Sequence, residues 1–196
     1  MVLKLHSAPY GSGGNGLAAL VLAEKRVPFQ FVEVETAKKQ HKTPEFLAMH
    51  PFGQVPVIDD DGFTLYESRA ICRYIAEKYY PHQGTRLVPS GLEAKALFEQ
   101  AASVEFANFY PAMMKVAMEA LGKQRRGLPV DQAVLDADLV EFSATFDAIL
   151  SKQKYVAGND LTLVDLFHLS GLSTASIRPR SGRRTWCREF SPTDSP

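Results

Sequence analysis

Along the first 80 positions, apolar residues fall into short runs whose spacing changes from element to element. Leu3 to Ser7 reads as a short strand, and Leu17 to Arg26, rich in Ala and Leu, as a helix. Phe29 to Glu35, with Phe29, Phe31, Glu33 and Glu35 at every second position, reads as a second strand, and a strand, helix, strand succession predicts a parallel pair. Thr43-Pro44-Glu45 opens a helical turn with Pro in the favoured first position, running to about His50 before Pro51. Val57 to Asp59 and Phe63 to Tyr66 flank Asp60-Asp61-Gly62, a hairpin signal of the Asp-Gly kind. The run Ile71, Tyr74, Ile75, Tyr79 then predicts a helix ending near Tyr80. The order is βαβαββα.

Beyond a linker at residues 81–91 the strands stop. Helical spacing in Ala94, Leu97, Phe98, Ala101 and Val104, and again in Leu135, Leu139, Phe142, Phe146, Ile149 and Leu150, predicts long helices that bury these residues first. Lys123-Gln124-Arg125-Arg126 reads as a solvated basic connection. Thr162 and Asp165 form a capping box, with Leu161 and Leu166 as its staple, so a helix starts there. After Leu169 the helical period ends, and Arg178-Pro179-Arg180-Ser181-Gly182-Arg183-Arg184, Trp186-Cys187 and Ser191-Pro192 read as an irregular tail. The chain therefore divides into residues 1–80, a linker at 81–91, a helical region at 92–169, and an atypical tail at 170–196 expected to be disordered.

Composition narrows the function classes. Forty-five per cent hydrophobic and 22 % charged residues are ordinary globular values. Lys+Arg 22 against Asp+Glu 22 leaves no net field to attract nucleic acid or an anionic membrane. No apolar run approaches the roughly 20 residues that a bilayer requires, and the strand-like start Val2-Leu3-Lys4-Leu5 carries no secretory signal pattern. Cys72 and Cys187 lie far apart without metal-type spacing, which suggests a reducing compartment. The five histidines, at 6, 41, 50, 82 and 168, are scattered and suggest no metal site. A small-molecule ligand is expected.

The candidate chemistry sits in Pro51-Phe52-Gly53-Gln54-Val55-Pro56-Val57-Ile58 and Leu65-Tyr66-Glu67-Ser68-Arg69-Ala70-Ile71. An X-Pro bond is cis in only about 5 to 6 % of folded cases, so composition alone favours trans at Val55-Pro56. A cis bond would turn the Val55 N–H and C=O outward to pair with an extended ligand. Gln54 adds a side-chain amide beside that edge, and Ser68 opens a helix whose free N–H groups favour a carboxylate. Glu67 accepts from an ammonium. The same residues also fit a hairpin and capped helix that hold no ligand.

At these residues the chain resembles the glutathione transferases, most closely the phi class in its fungal forms, over roughly residues 1 to 169. The resemblance implies a thioredoxin-like α/β domain that binds glutathione and an all-α domain that shapes the electrophile pocket, here with its last helices incomplete. It implies a cis Val55-Pro56 bond, Gln54 and Val55 at the cysteinyl part of glutathione, Glu67 and Ser68 at its γ-glutamyl end, and His41 and Lys42 near the glycyl carboxylate. It further implies glutathione as co-substrate and no metal, a cytoplasmic homodimer with Phe52 as a candidate contact, and Phe106, Phe109, Tyr110 and Met113 as candidate pocket walls. The tail after Leu169 departs from the family, as a reading-frame change or altered splicing would produce.

The resemblance places the thiol donor at Ser12, whose hydroxyl would hold the glutathione sulfur as an anion. The family's helix-start pattern is altered here to Ser12-Gly13-Gly14-Asn15-Gly16-Leu17, with one inserted residue and without two basic residues. Ser7 and Tyr10 are alternative donors. The altered loop and tail also admit a noncatalytic module of the same fold that binds glutathione or hydrophobic ligands. Gly11 to Gly16 fits G-x-G-x-x-G between a strand and a helix, a dinucleotide signature, but the hairpin and helices that follow oppose a doubly wound sheet.

Overall fold

The computed structural model describes residues 2–8, 14–79, 84–123 and 126–175. The N-terminal half contains β1 (Leu3–Ser7), α1 (Gly14–Glu24), β2 (Phe29–Glu33), α2 (Pro44–Met49), β3 (Val57–Asp60), β4 (Phe63–Tyr66) and α3 (Ser68–Lys78). The βαβαββα order is as the sequence predicts, although α1 starts three residues earlier than its apolar run and β2 stops two residues short. The sheet order is β2-β1-β3-β4, with β1 and β2 parallel and the β1–β3 and β3–β4 pairs antiparallel. Two antiparallel pairings in a four-stranded sheet are not the doubly wound parallel arrangement of a dinucleotide domain, which removes that reading. Asp61 and Gly62 both take positive φ (58° and 89°), the two-residue turn that suits the strand twist, and the Asp59 side chain accepts from the Gly62 N–H at 2.9 Å.

The two faces of the sheet differ. Leu3, Leu5 and Ile58 pack with Leu17, Val21, Ile71 and Ile75 of α1 and α3 in the main core, whereas Val57 packs with Val34 and Phe46 on the α2 side. Thr43 caps α2 by accepting from the Phe46 N–H.

A long helical run begins with α4 (Leu92–Val104), widens into a π turn at Glu105–Phe109, and continues through α5 (Tyr110–Ala117) to a second π turn at Met118–Gly122. Pro111 accounts for the first widening: it brings no N–H for the carbonyl four residues back, and the broader turn relieves its ring. Next come α6 (Gln132–Leu150) and α7 (Leu163–Ala175). Phe98, Ala102, Glu105, Phe109, Met113 and Val116 form the buried stripe of the long run. Ala94 and Leu97, expected in the core, are exposed; they lie off that stripe, on a face that none of the described residues covers. Leu135 is buried as expected, Leu150 is exposed at the end of α6, and the side chains of Leu139 and Phe142 lie outside the described residues.

The α7 box forms as read. Thr162 N–H and Oγ1 bond to Asp165 Oδ2 (2.8 and 3.0 Å), and Thr162 Oγ1 accepts from the Val164 N–H at 3.3 Å. The second Asp165 oxygen accepts from the Val156 N–H, and the Leu163 N–H bonds the Leu87 carbonyl of the linker. The helix runs to Ala175, six residues past the boundary placed at Leu169. Ser170 to Ala175 contains no proline, so nothing forbids the backbone from continuing its ladder. The rest of the tail, 176–196, lies outside the described residues, as do Tyr80 to Gln83 of the linker region and Gln124-Arg125. No helix among the described residues is long and apolar enough to cross a membrane.

Candidate functional site

The site lies at the edge formed by the 50–56 loop, the start of α3 and the start of α1. Val55-Pro56 is cis. Among the described residues no backbone hydrogen bond engages Val55, which sits just before β3 with its N–H and C=O outside the sheet ladder. Pro56 is buried, Val55 half-buried and Gln54 exposed.

One residue turns the chain from β4 into α3. Glu67 takes φ +72°, a left-handed backbone that a non-glycine residue adopts at a cost of about 1–3 kcal/mol. Among the described residues no side chain caps α3, and its first backbone bond runs from the Ile71 N–H to the Glu67 carbonyl. The N–H groups of Ser68, Arg69 and Ala70 therefore face an open end, with the positive end of the helix dipole behind them. The Glu67 carboxylate is exposed beside an open cleft of about 290 Å³ between α3 and α4. An anion-binding helix end and a free carboxylate one residue apart fit a group that carries both an acid and an ammonium.

The other side of the edge is built around Gly53, which also has positive φ (+56°). A Cβ there would collide with the His41 carbonyl oxygen and lie 2.9 Å from Lys42 Cδ. Glycine thus lets the turn that carries His41 and Lys42 close onto the loop. Lys42 Nζ donates to the Phe52 carbonyl at 2.8 Å, which orients the ammonium and leaves further donors. His50 stacks on Tyr66 at 4.3 Å, and burial holds its pKa below the ordinary value, opposed by Glu67 and assisted by Lys42. That electrostatic triangle ties the His41–Lys42 side to the Glu67 side.

At the third corner, a Cβ on Gly14 would lie 3.0 Å from Ser68 Oγ and 3.5 Å from Pro56 Cδ. The start of α1, the start of α3 and the cis proline meet there, and glycine permits the approach. The structure thus brings His41, Lys42, Gln54, Val55, Pro56, Glu67 and Ser68 to one edge. Ser12 and Tyr10 lie outside the described residues. Cys72, inside α3, is fully buried, and burial pushes its thiol well above the ordinary range, so it offers no thiolate.

Arg69 and Glu105 escape a reading of local motifs. Arg69 Nε and Nη2 donate to the two Glu105 oxygens at 2.7 Å each, and the guanidinium lies 5.1, 4.7 and 5.7 Å from the ring centres of Phe106, Tyr110 and Phe167. Glu105 is wholly buried. The pair joins the first turn of α3 to the helical region. Its trace in the sequence is a carboxylate on the stripe 98, 102, 105, 109, 113, 116, where every other residue is apolar. Of the candidate pocket walls, Phe109 and Met113 are buried in the second core with Val116 and Leu135, whereas Phe106 is exposed and Tyr110 half-buried.

Comparison with known proteins agrees with this geometry. Residues 1–77 match the family described as glutathione S-transferase, N-terminal domain, and residues 109–180 the corresponding C-terminal domain. Glutathione S-transferase hmp2 of Hypomyces subiculosus is 43 % identical over 88 % of this chain and 82 % of its own length. Glutathione S-transferase PM239X14 of Arabidopsis thaliana is 45 % identical over 78 % of this chain and 73 % of its own. Among solved structures, glutathione S-transferase I from mais in complex with an atrazine glutathione conjugate superposes with a TM-score of 0.82 at 32 % identity, covering 91 % of this chain and 84 % of that one. A thioredoxin-like domain with an exposed main-chain edge, a helical partner domain and these relatives together place the chain in the glutathione S-transferase family.

Proposed function

We propose that the protein conjugates the thiolate of glutathione to small hydrophobic electrophiles, and that it is a phi-class enzyme of the fungal form. The observation that carries this reading is the unpaired Val55 edge at a cis proline, set beside the uncapped start of α3. Val55 pairs with the cysteinyl backbone, as a strand added to an edge, with the Gln54 amide alongside. Ser68 and the free N–H groups of α3 hold the γ-glutamyl carboxylate, and Glu67 takes its ammonium. His41 and Lys42 meet the glycyl carboxylate, Lys42 as a point charge.

The Ser12 hydroxyl, two residues ahead of Gly14 in sequence, donates to the sulfur. A free thiol is only a few per cent ionised at pH 7. A downward shift of about two units, roughly 2.7 kcal/mol, makes the thiolate the main form. The sulfur then attacks the electrophile, a carbon–sulfur bond forms, and the leaving group departs with its electron pair. The exposed Phe106 and the half-buried Tyr110, whose rings stack 6.5 Å apart, offer an apolar wall. The 43 % identity to the Hypomyces relative supports the fungal form. A cytoplasmic homodimer completes the reading, with Phe52, 68 % exposed on the site loop, as a contact.

Conjugation of a small aryl halide, measured alongside retention on immobilised glutathione, tests the proposal. Retention with turnover is expected, and Ser12→Ala should lower turnover at least tenfold while retention persists. Retention without turnover would identify a binding protein, and absence of both would overturn the reading.

A further inference from the structure

His50 is a buried titratable residue that the proposed chemistry leaves unused, and it stands between the two charged ends of the site. Its backbone is engaged on both sides: the N–H bonds the Phe46 carbonyl at 2.9 Å, ending α2, and the carbonyl accepts from the Gly53 N–H at 2.8 Å. The residue is 2 % exposed. Among the described residues no hydrogen bond holds the ring, and its Nδ1 is closed to solvent without a partner. Such a nitrogen costs stability that an apolar ring of the same shape would not.

Aromatic contact holds the imidazole instead, on two sides. It stacks on Tyr66, with ring centres 4.3 Å apart and planes 26° from parallel, and meets Phe52 edge-on at 6.2 Å and 81°. Each neighbour leads to one end of the site. Tyr66 ends β4 and directly precedes Glu67 and Ser68, whereas the Phe52 carbonyl takes the Lys42 ammonium at 2.8 Å. Glu67 and Lys42 both act electrostatically on the ring, so neither charge is remote from it. Tyr66 and Val55 also pack on the small core of Val34, Phe46 and Val57, which anchors that side. Phe52 is 68 % exposed and has no such backing.

We propose that His50 is a positioning residue that sets specificity: its ring fixes the spacing between the Glu67–Ser68 end and the Lys42 end, and thereby the length of γ-glutamyl peptide that the site accepts. This rests on the proposed function above. A peptide whose charged ends match that spacing makes both charge-assisted contacts at once, whereas one a methylene longer gives up part of one. Closed to solvent, the ring does not meet the ligand.

The test is calorimetry on the full chain with three S-methylated ligands, so that thiol ionisation plays no part. They are glutathione, its counterpart with β-alanine in place of glycine, and γ-glutamylcysteine, which lacks the third residue. The parent should bind the glycine peptide about tenfold tighter than the β-alanine one, the size expected when a hydrogen bond between charged groups is misplaced. His50→Ala should cut that preference to within about twofold and leave affinity for the dipeptide within about twofold, as for an independent site. His50→Phe keeps both ring contacts and removes the unpartnered nitrogen, so the preference should persist. A preference that survives His50→Ala, an equal loss for all three ligands, or a preference lost in His50→Phe as well each overturns the assignment. If His50→Ala does not fold, His50→Leu, which fills the space without a flat face, takes its place with the same expectations. A folded parent that binds none of the three defeats the function and the spacing together, whereas one that binds both tripeptides equally defeats only the spacing.

Discussion

Removing the carboxylate at Glu105 should be among the most damaging single changes in the helical half. The perturbation is Glu105→Ala. The carboxylate is wholly buried and accepts two charge-assisted bonds of 2.7 Å from Arg69, whose side chain is 16 % exposed. Truncation leaves the guanidinium largely buried and opposite a cavity, with the rings of Phe106, Tyr110 and Phe167 as its remaining partners. Breaking a buried pair by removing one partner costs about 3–5 kcal/mol, whereas replacing both partners by apolar residues is often neutral. For a chain of this size each kcal/mol lowers the melting temperature by about 2–4 °C. Equilibrium unfolding in urea should thus show Glu105→Ala less stable by about 3–5 kcal/mol, and thermal melting should show it lower by about 6–20 °C. The double variant Arg69→Met/Glu105→Leu should recover most of the loss. A Glu105→Ala cost under about 1 kcal/mol, or a double variant as unstable as the single one, would refute the reasoning that an orphaned charge is the cause.

Gly53→Ala should destabilise by at least about 1–3 kcal/mol from its positive φ alone, and more from its collision with the His41 carbonyl; denaturant melts read the stability and calorimetry the weakened glutathione uptake. Thr162→Ala removes the oxygen that caps α7 and should cost about 0.5–2 kcal/mol in urea unfolding. Acid should weaken the fold through its buried and half-buried histidines. His168, buried between Phe109 and Phe146, has its pKa lowered by desolvation, and so do His6 and His50. In each case the unfolded chain takes up a proton first, so stability is full above the ordinary value of 6.5 and falls as pH drops from there to the folded value. Urea unfolding between pH 7.5 and 5 should show that decline, and His168→Phe should make it shallower.

The parts of the fold visible in sequence are those fixed by local rules. Alternation, the Asp-Gly turn, Thr43-Pro44 and the Thr162–Asp165 box each name a conformation within a few residues, and each element starts at or near the residues that signal it, although β2 ends two residues early and α7 six residues late. The edge was legible as residue types, and the fold brings the Gly53 turn against His41 and Lys42 and the start of α1 against Pro56 and Ser68. The isomer at Val55-Pro56 was not, because an isolated proline carries no such information; only the family resemblance supplied it. Helix-spaced apolar residues in 92–104 gave the helix but not its buried side. Ala94 and Leu97 face outward because burial follows the packing of the 98–116 stripe against α7, a tertiary fact. The Arg69–Glu105 pair depends on a contact between residues 36 positions apart, beyond what spacing encodes.

The account stands on a tripeptide thiol gripped along the Val55 edge and held as an anion. Its most direct test is a titration of bound glutathione followed by the ultraviolet thiolate band at saturating ligand. The band should appear with an apparent pKa about two units below that of the free thiol. A bound thiol that titrates at its free value, or a folded protein that takes up no glutathione, would contradict it.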